Sequence, residues 1–174
     1  KLNDKNANVR AQAEKWDLAL RLTRVFGLRP IELQYLQVRK NGKFALWCTY
    51  SKRTATGGTE ARRLFPIHKN WCEEWKLIER VRRGDPLPSM KSGGGQAFGT
   101  YFRFNETWKK LQKKGISAYS LRHAYAVVGH EKYNLNAAIL APAMGHSVEV
   151  HNRSYSRWYG EKYLEDIFEN ATQS

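Results

Sequence analysis

Residues 118–126 read AYSLRHAYA, and this stretch decides how the second half of the chain is predicted to fold. Apolar residues recur at the spacing of one face of an α-helix: Leu121, Ala124, Tyr125 and Val128. We predict a helix with this stripe buried in a core. Arg122 is then expected to point away from the core face, near the N-terminus of the helix.

The segments upstream of this helix predict further helices. Residues 7–26 carry apolar side chains at helical spacing, and Gly27 ends the predicted helix. Pro30 is well placed as the first residue of a second, short helix. From residue 70 onward, NWCEEWKLIERVRR fits one continuous helix, and residues 98–114 fit another.

A change of periodicity after residue 40 predicts a small antiparallel sheet. Asn41 and Gly42 form a strong hairpin turn. Residues 44–50 then alternate in the manner of a strand, and residues 62–67 are expected to return as its partner after a polar loop at 54–60. The predicted fold class is therefore α+β, mostly helical with a small antiparallel sheet.

The C-terminal third predicts two short helices and a tail. Residues 135–144 fit a helix capped by Gly145, and Ser147 can cap the segment that runs to Tyr155. Residues 160–174 read as an acidic, amphipathic helix whose apolar face needs a partner in this chain or in a neighbouring copy. We expect one domain over 1–174, with a body at 1–159 and a tail at 160–174.

Charge is the strongest signal in the composition. The chain has 30 Lys and Arg against 16 Asp and Glu, a net charge of +14, and aromatic residues are interleaved with the basic ones. This balance favours nucleic acid as a partner over a membrane surface or simple solubility. No apolar stretch approaches the roughly 20 residues of a membrane helix. Cys48 and Cys72 lack metal-ligand spacing and are expected to be reduced thiols.

Four segments resemble, in order, the signature regions of the tyrosine recombinase (phage integrase) family. They read GLRPIEL, YSKRTATGGTEARRLFPI, SLRHAYA and MGHSVEVHNRSY. Each lies on the expected kind of element, and together they span roughly residues 16–160. The resemblance implies a catalytic domain of the tyrosine recombinase type.

The resemblance assigns five catalytic positions. Arg29 and Arg122 match the two arginines that clamp the scissile phosphate, and Lys52 matches the lysine that protonates the leaving oxygen. His146 matches the histidine-or-tryptophan position that hydrogen-bonds the phosphate. Tyr155, nine residues past His146, matches the nucleophile, and the spacing of Tyr159 and Tyr163 fits that position less well.

Three further positions complete the expected site. Most relatives have a histidine three residues before the second arginine, where this chain has Tyr119. A minority of the family is similar in this respect, including element-excising recombinases of heterocyst-forming cyanobacteria. Glu32 matches the acid that supports the first arginine. His123 matches a common supporting histidine but is not expected to replace the missing base, because one helical step rotates it about 100° from Arg122.

The resemblance also implies the activity and the partners. The expected reaction cleaves and rejoins double-stranded DNA through a 3′-phosphotyrosine bond, with no metal or other cofactor. A homotetramer on DNA would form through the tail, although docking within one chain is equally allowed. A DNA-clamping N-terminal domain of the family has no counterpart here, so we expect a fragment of a longer cytoplasmic, nucleoid-associated protein. A type IB topoisomerase-like activity and a catalytically silent DNA-binding domain are the alternatives.

Overall fold

The N-terminal helix α1, Ala7–Phe26, has the predicted bounds. The Asn6 side chain accepts hydrogen bonds from the backbone N–H groups of Asn8 and Val9, which begins the helix. Gly27 ends it with a φ of 62°, and a side chain there would meet the Tyr125 ring at 2.7 Å. Glycine is therefore required at this position for two reasons, the backbone conformation and the close packing against Tyr125.

In this computed structural model, the described residues are 1–51, 53–54, 57–58, 60–90, 95–155, 165 and 168–169. Pro30–Tyr35 form a 3₁₀ helix, which places the predicted short helix correctly. The strands β1, Leu36–Asn41, and β2, Lys43–Cys48, pair antiparallel around Gly42. The α+β fold class is confirmed.

The predicted return strand is much shorter than residues 62–67. Strands β3, Arg53–Thr54, and β4, Gly57–Gly58, pair with each other, whereas β5, Arg62–Arg63, joins the main sheet beside β2. Pro66, which has no backbone N–H to donate, follows closely. The Ile67 N–H donates to the Val25 carbonyl of α1, so the chain has left the sheet by that residue.

The predicted continuous helix after residue 70 was wrong. The structure has two helices, α2, Lys69–Glu74, and α3, Leu77–Arg83, separated by Lys76 with a φ of 49°. In one continuous helix, Cys72 and Leu77 would face directions about 140° apart. The break allows both side chains to be buried in the same core.

The predicted helix over 98–114 is likewise two helices. Helix α4 spans Gly95–Phe102, and α5 spans Glu106–Lys113. The Asn105 side chain accepts a hydrogen bond of 2.9 Å from the Trp108 N–H, which begins α5 anew. An N-cap signal inside the apolar pattern was therefore missed.

The stretch AYSLRHAYA begins α6, Ala118–Tyr133, as predicted, but a different face is buried. Of the predicted stripe only Tyr125 is fully buried, and Leu121, Ala124 and Val128 are half-buried. Arg122 is only 1% exposed, so the prediction that it points away from the core was wrong. The buried face consists of Ala118, Arg122, Tyr125, Ala126, Gly129 and His130.

Two short helices complete the described body: α7, Ala137–Met144, and α8, Val148–Tyr155. Gly145 ends α7 with a φ of 72°, as predicted, and the Ser147 hydroxyl accepts from the Val150 N–H at the start of α8. Among the described residues, no helix combines the length and apolarity needed to cross a membrane. The tail prediction falls almost entirely on residues outside those described.

The buried apolar side chains form two clusters. The larger packs α1 against the sheet and against α3, α4 and α5, and it includes Cys48 and Cys72 as free thiols. The smaller packs α6, α7 and α8 with Ile67. The side chain of Arg122 joins the two parts, because it hydrogen-bonds both Gly27 after α1 and Met144 at the end of α7.

Candidate active site

Glu32 lies at the centre of a cluster of three arginines, which we call the arginine cluster: Arg29, Arg62 and Arg122 with Glu32. The Glu32 carboxylate is fully buried and lies 2.8 Å from Arg29 Nη1 and 2.9 Å from Arg62 Nη2. Arg122 Nη1 is 3.7 Å away. Burial would raise the pKa of Glu32, but the three guanidinium groups outweigh it and hold this pKa below its ordinary value.

The 3₁₀ helix sets the geometry between Arg29 and Glu32. The Glu32 carboxylate accepts a hydrogen bond of 2.8 Å from the Arg29 backbone N–H as well as one from its guanidinium. Arg29 Nη2 also donates to the Gly145 carbonyl at 3.1 Å. Burial lowers the pKa of Arg29, but Glu32 and a hydrogen bond with the Tyr119 hydroxyl outweigh it, so the pKa is raised.

Arg122 is held by backbone carbonyl groups. Its Nη1 donates to the Gly27 carbonyl at 2.5 Å, and its Nη2 donates to the Met144 carbonyl at 2.7 Å. Burial lowers the pKa of this guanidinium, Arg29 acts in the same direction, and Glu32 opposes both. Glu32 therefore supports the positive charge of Arg122 as well as that of Arg29.

Tyr155 ends α8 beside Arg122 and is 2% exposed. Burial raises the pKa of its phenol, whereas Arg122 lowers it through its charge and a hydrogen bond, and Arg29 also lowers it. Three imidazole rings surround the phenol ring, with centroid distances of 4.6 Å for His151, 5.3 Å for His123 and 6.0 Å for His146. The candidate nucleophile therefore lies between guanidinium groups and imidazole rings.

His146 is half-buried, and hydrogen bonds engage both of its ring nitrogens. Nδ1 lies 3.3 Å from Arg122 Nη2, and Nε2 lies 2.9 Å from Nδ1 of His151. Burial and the charge of Arg122 lower the pKa of His146 to about 3, so the ring is neutral near pH 7. A hydrogen bond from His146 to a phosphate would require the ring to exchange one of these partners.

The remaining predicted residues lie around the phenol or outside the described residues. Tyr119 is 41% exposed, and its ring lies 5.3 Å from that of His123, which in turn contacts Tyr155. The structure thus places His123 between the two tyrosines, on the Tyr155 side of α6. Lys52 and the alternative nucleophiles Tyr159 and Tyr163 fall outside the described residues.

Two known proteins are similar to this chain in sequence. The chain is 27% identical to Excisase A of Nostoc sp. (strain PCC 7120) over 170 residues, which cover 90% of this chain and 34% of that protein. It is 30% identical to Excisase C of the same strain over 176 residues, covering 91% and 33%. The chain spans about a third of the length of these relatives. No protein-family model matches it.

A solved structure decides the fold. The XerH site-specific recombinase, bound to a palindromic difH substrate in a post-cleavage complex, superposes with a TM-score of 0.50 at 18% identity. The match covers 94% of this chain and 47% of that one. This chain has the tyrosine recombinase catalytic-domain fold. The family resemblance of the four sequence segments is thereby confirmed at the level of the fold.

The candidate site also contains residues that sequence reasoning missed. Arg62 shares Glu32 with the two predicted arginines and donates to the Ala143 carbonyl at 3.2 Å. His151 and His130 extend the contacts of His146 by a further hydrogen bond of 2.8 Å. His151 and Tyr155 are four residues apart on α8, and this helical spacing was the available signal. No comparable pattern pointed to Arg62.

Proposed function

We propose that this chain is the catalytic domain of a site-specific recombinase that cleaves and rejoins DNA through a 3′-phosphotyrosine bond. The observation that carries the proposal is the position of Tyr155, which is buried beside Arg122 and close enough to Arg29 for both charges to lower the pKa of its phenol. Similarity to two excisases supports site-specific recombination in general. The phosphotyrosine step rests on the placement of Tyr155 beside the two arginines.

The arginines provide the charge that the reaction needs. Arg29 and Arg122 would bind the non-bridging oxygens of the scissile phosphate, since a guanidinium group can bind phosphate through two N–H groups. Tyr155 Oη forms the new bond to phosphorus, and the bond between phosphorus and the 5′ oxygen breaks. Lys52 would give a proton to that 5′ oxygen. Because the phosphotyrosine bond retains the phosphodiester energy, rejoining needs neither ATP nor, on this scheme, a metal ion.

Tyr119 leaves the proton of the nucleophile without an assigned acceptor. A phenol is a poor base near neutral pH, although it can donate and accept hydrogen bonds. Its hydrogen bond with Arg29 supports a role in positioning the phosphate-binding guanidinium. Proton removal from Tyr155 then falls to water or to another group. In Tyr119→Phe, loss of that hydrogen bond is expected to slow cleavage.

Double-stranded DNA is the proposed partner. A net charge of +14 supports phosphate binding, and XerH is a relative in fold whose structure holds DNA. A homotetramer formed through the tail at 160–174, and a location in the cytoplasm on the nucleoid, are parts of the same proposal. Binding is expected to weaken steeply with salt because phosphate contacts dominate.

A suicide substrate tests the proposal directly. The substrate is a library of duplexes with randomised sequence, each carrying a nick one or two nucleotides from a candidate cleavage position. Cleavage releases a short fragment that diffuses away, so the strand cannot be rejoined and the covalent adduct is trapped. Wild type is expected to form an adduct resistant to denaturation, and Tyr155→Phe to form none. Sequencing the crosslinked DNA would give the target site.

The alternatives give different results in the same assay. Absence of an adduct with wild type, with DNA binding retained, would support the catalytically silent domain. Adducts together with relaxation of supercoiled DNA, but without exchange between two sites, would support the topoisomerase-like activity. Adducts that persist in Tyr155→Phe would assign the nucleophile to another tyrosine.

A further inference from the structure

Three histidines form a continuous line of hydrogen bonds, which we call the histidine chain: His146, His151 and His130. His130 lies on α6, His151 on α8, and His146 just before α8. His146 Nε2 lies 2.9 Å from His151 Nδ1, and His151 Nε2 lies 2.8 Å from His130 Nε2. His151 is fully buried and His130 is 4% exposed. The line begins at Arg122, whose Nη2 lies 3.3 Å from His146 Nδ1.

The two ends of the histidine chain fix the direction of every hydrogen bond in it. A guanidinium group only donates, so His146 Nδ1 accepts, and His146 Nε2 carries the proton that it donates to His151. The same reasoning gives His151 a protonated Nε2 and makes His130 Nε2 an acceptor. The other His130 nitrogen is then free to donate to the Leu135 carbonyl, with which the ring has a backbone hydrogen bond. Each ring is therefore neutral and in one tautomer.

The pKa values agree with this assignment. Burial, followed by Arg122, lowers the pKa of His146 to about 3, and burial, followed by His130, lowers that of His151 to about 4. Burial also lowers the pKa of His130. A second proton on any of the three rings would occupy the nitrogen that accepts a hydrogen bond, and it would therefore break one hydrogen bond of the histidine chain.

His151 has a second contact, with the candidate nucleophile. It lies four residues before Tyr155 on α8, and the two ring centroids are 4.6 Å apart. Its hydrogen bond to His130 ties α8 to α6, the helix that carries Arg122. One buried side chain thus contacts the ring of Tyr155, the ring of His146 and the helix of Arg122.

We propose that His151 is a positioning residue that holds His146 in the tautomer with an unprotonated Nδ1, and that it thereby orients Arg122 beside Tyr155. The role rests on the proposed cleavage function. An imidazole acceptor orients the guanidinium without cancelling its charge, which a second carboxylate would do. The full charge of Arg122 remains available for a phosphate.

Two variants separate this role from simple packing. In His151→Asn, the amide oxygen takes the place of Nδ1 and can still accept from His146, but the hydrogen bond to His130 is lost. In His151→Gln, the amide nitrogen takes the place of Nε2 and can donate to His130, but His146 loses its acceptor. Both replace an aromatic ring by an amide, so a role in packing alone would affect them similarly. His68→Gln, at a histidine that does not belong to the histidine chain, serves as the control.

The first readout needs no DNA. Nitrogen-15 NMR of the full chain near pH 7 reports which nitrogen of each imidazole carries the proton. Wild type and His151→Asn are expected to show His146 protonated only at Nε2, whereas His151→Gln should show a mixture of tautomers. A wild-type His146 that is cationic, or protonated at Nδ1, would overturn the proposal whether or not the protein cleaves DNA.

The second readout is the single-turnover rate of covalent adduct formation on a substrate cleaved by wild type. Loss of the hydrogen-bond partner of a metal-binding histidine typically costs about 10–100-fold, and by analogy we expect a slowing of that order for His151→Gln. His151→Asn should be slowed clearly less, and His68→Gln should match wild type. Equal slowing in both His151 variants would show that His151 acts through packing alone and would overturn the proposal. If wild type forms no adduct, the proposed cleavage function is contradicted. The tautomer of His146 is tested separately by NMR and does not depend on that result.

Discussion

The arginine cluster and the histidine chain hold the same guanidinium from two sides by opposite physical means. In the arginine cluster, one fully buried carboxylate contacts three cations, and its pKa is held low by them. In the histidine chain, the groups in contact are neutral imidazoles whose own pKa values are held low. Arg122 is the residue that both arrangements share.

On the proposed function, this difference explains how a buried cation is kept in place and can still bind a phosphate. A carboxylate stabilises the charge but competes with a phosphate for it. Carbonyl groups and imidazoles fix the direction of the N–H groups and leave the charge uncancelled. Arg122 has its carboxylate neighbour at 3.7 Å and closer neutral acceptors at 2.5, 2.7 and 3.3 Å. We therefore expect the two arrangements to fail differently when disturbed.

The largest effect is expected when the carboxylate is removed. Glu32→Gln leaves Arg29, Arg62 and Arg122 close together without a counter-charge, and breaking a buried ion pair in this way typically costs about 3–5 kcal/mol. Urea denaturation would measure the loss in the free energy of unfolding. Glu106→Gln, which removes an exposed partner of Lys109, is the matched control and should change stability little. Similar small losses in both variants would show that the cluster does not depend on Glu32.

The next effect concerns the reaction rate. Arg122→Lys keeps a positive charge. Its single ammonium group, however, cannot donate to the Gly27 and Met144 carbonyls and at the same time bind a phosphate as a planar pair of N–H groups does. Adduct formation by the variant is expected to be about 10²–10³-fold slower, the range typical of losing one transition-state donor. Arg83→Lys, at an exposed arginine paired with Asp85, should match wild type. A variant slowed by less than about threefold would show that charge alone suffices.

A smaller effect is expected from the backbone that borders the arginine cluster. Gly145 has a φ of 72°, and a side chain there would meet the Arg62 guanidinium at 2.6 Å. Gly84 has a φ of 82° with nothing within 4 Å, so Gly84→Ala measures the backbone strain alone, about 1–2 kcal/mol. Gly145→Ala should lose more stability than Gly84→Ala in thermal denaturation and should slow adduct formation by displacing Arg62. Equal losses would mean that the guanidinium moves aside freely.

The smallest effect distinguishes the two arrangements by pH. The histidine pKa values are lowered from 6.5, so the unfolded chain binds more protons and stability falls as the pH falls from about 6.5 toward 4. Glu32, whose pKa is lowered below its ordinary value, stays ionised between pH 7 and pH 5. The urea midpoint of wild type should therefore drop between pH 7 and pH 5 by more than that of His151→Asn, which has one such histidine fewer. A wild-type midpoint that rises on acidification would contradict the neutral histidine chain.

The sequence predicted the helices where local signals and burial agree. Helix α1 has both an N-cap at Asn6 and a glycine at its end, and its bounds were predicted to the residue. The break at Lys76 could not be predicted, because it depends on burying Cys72 and Leu77 against a core formed by distant segments. The new start at Asn105 carried a capping signal, but the apolar pattern around it favoured one continuous helix.

The candidate site shows the same division. Arg29, Arg122, His146 and Tyr155 were predicted from the resemblance, and the structure brings their side chains together; Lys52 lies outside the described residues. The burial of Arg122 was not predicted, because helical periodicity treats an arginine as a surface residue. Its acceptors come from Gly27 and Met144, which are far from it in the chain. Contacts with distant backbone groups leave no local pattern.

The two closest contacts of Arg122 also determine which changes in sequence this site can tolerate. Both acceptors are main-chain carbonyl groups where helices α1 and α7 end, and the C-terminal end of a helix carries partial negative charge. A main-chain carbonyl is present whatever side chain the residue bears. Substitution of Met144 by another apolar residue therefore preserves the acceptor, and the anchoring of this cation is robust to mutation as long as the two helices end where they do.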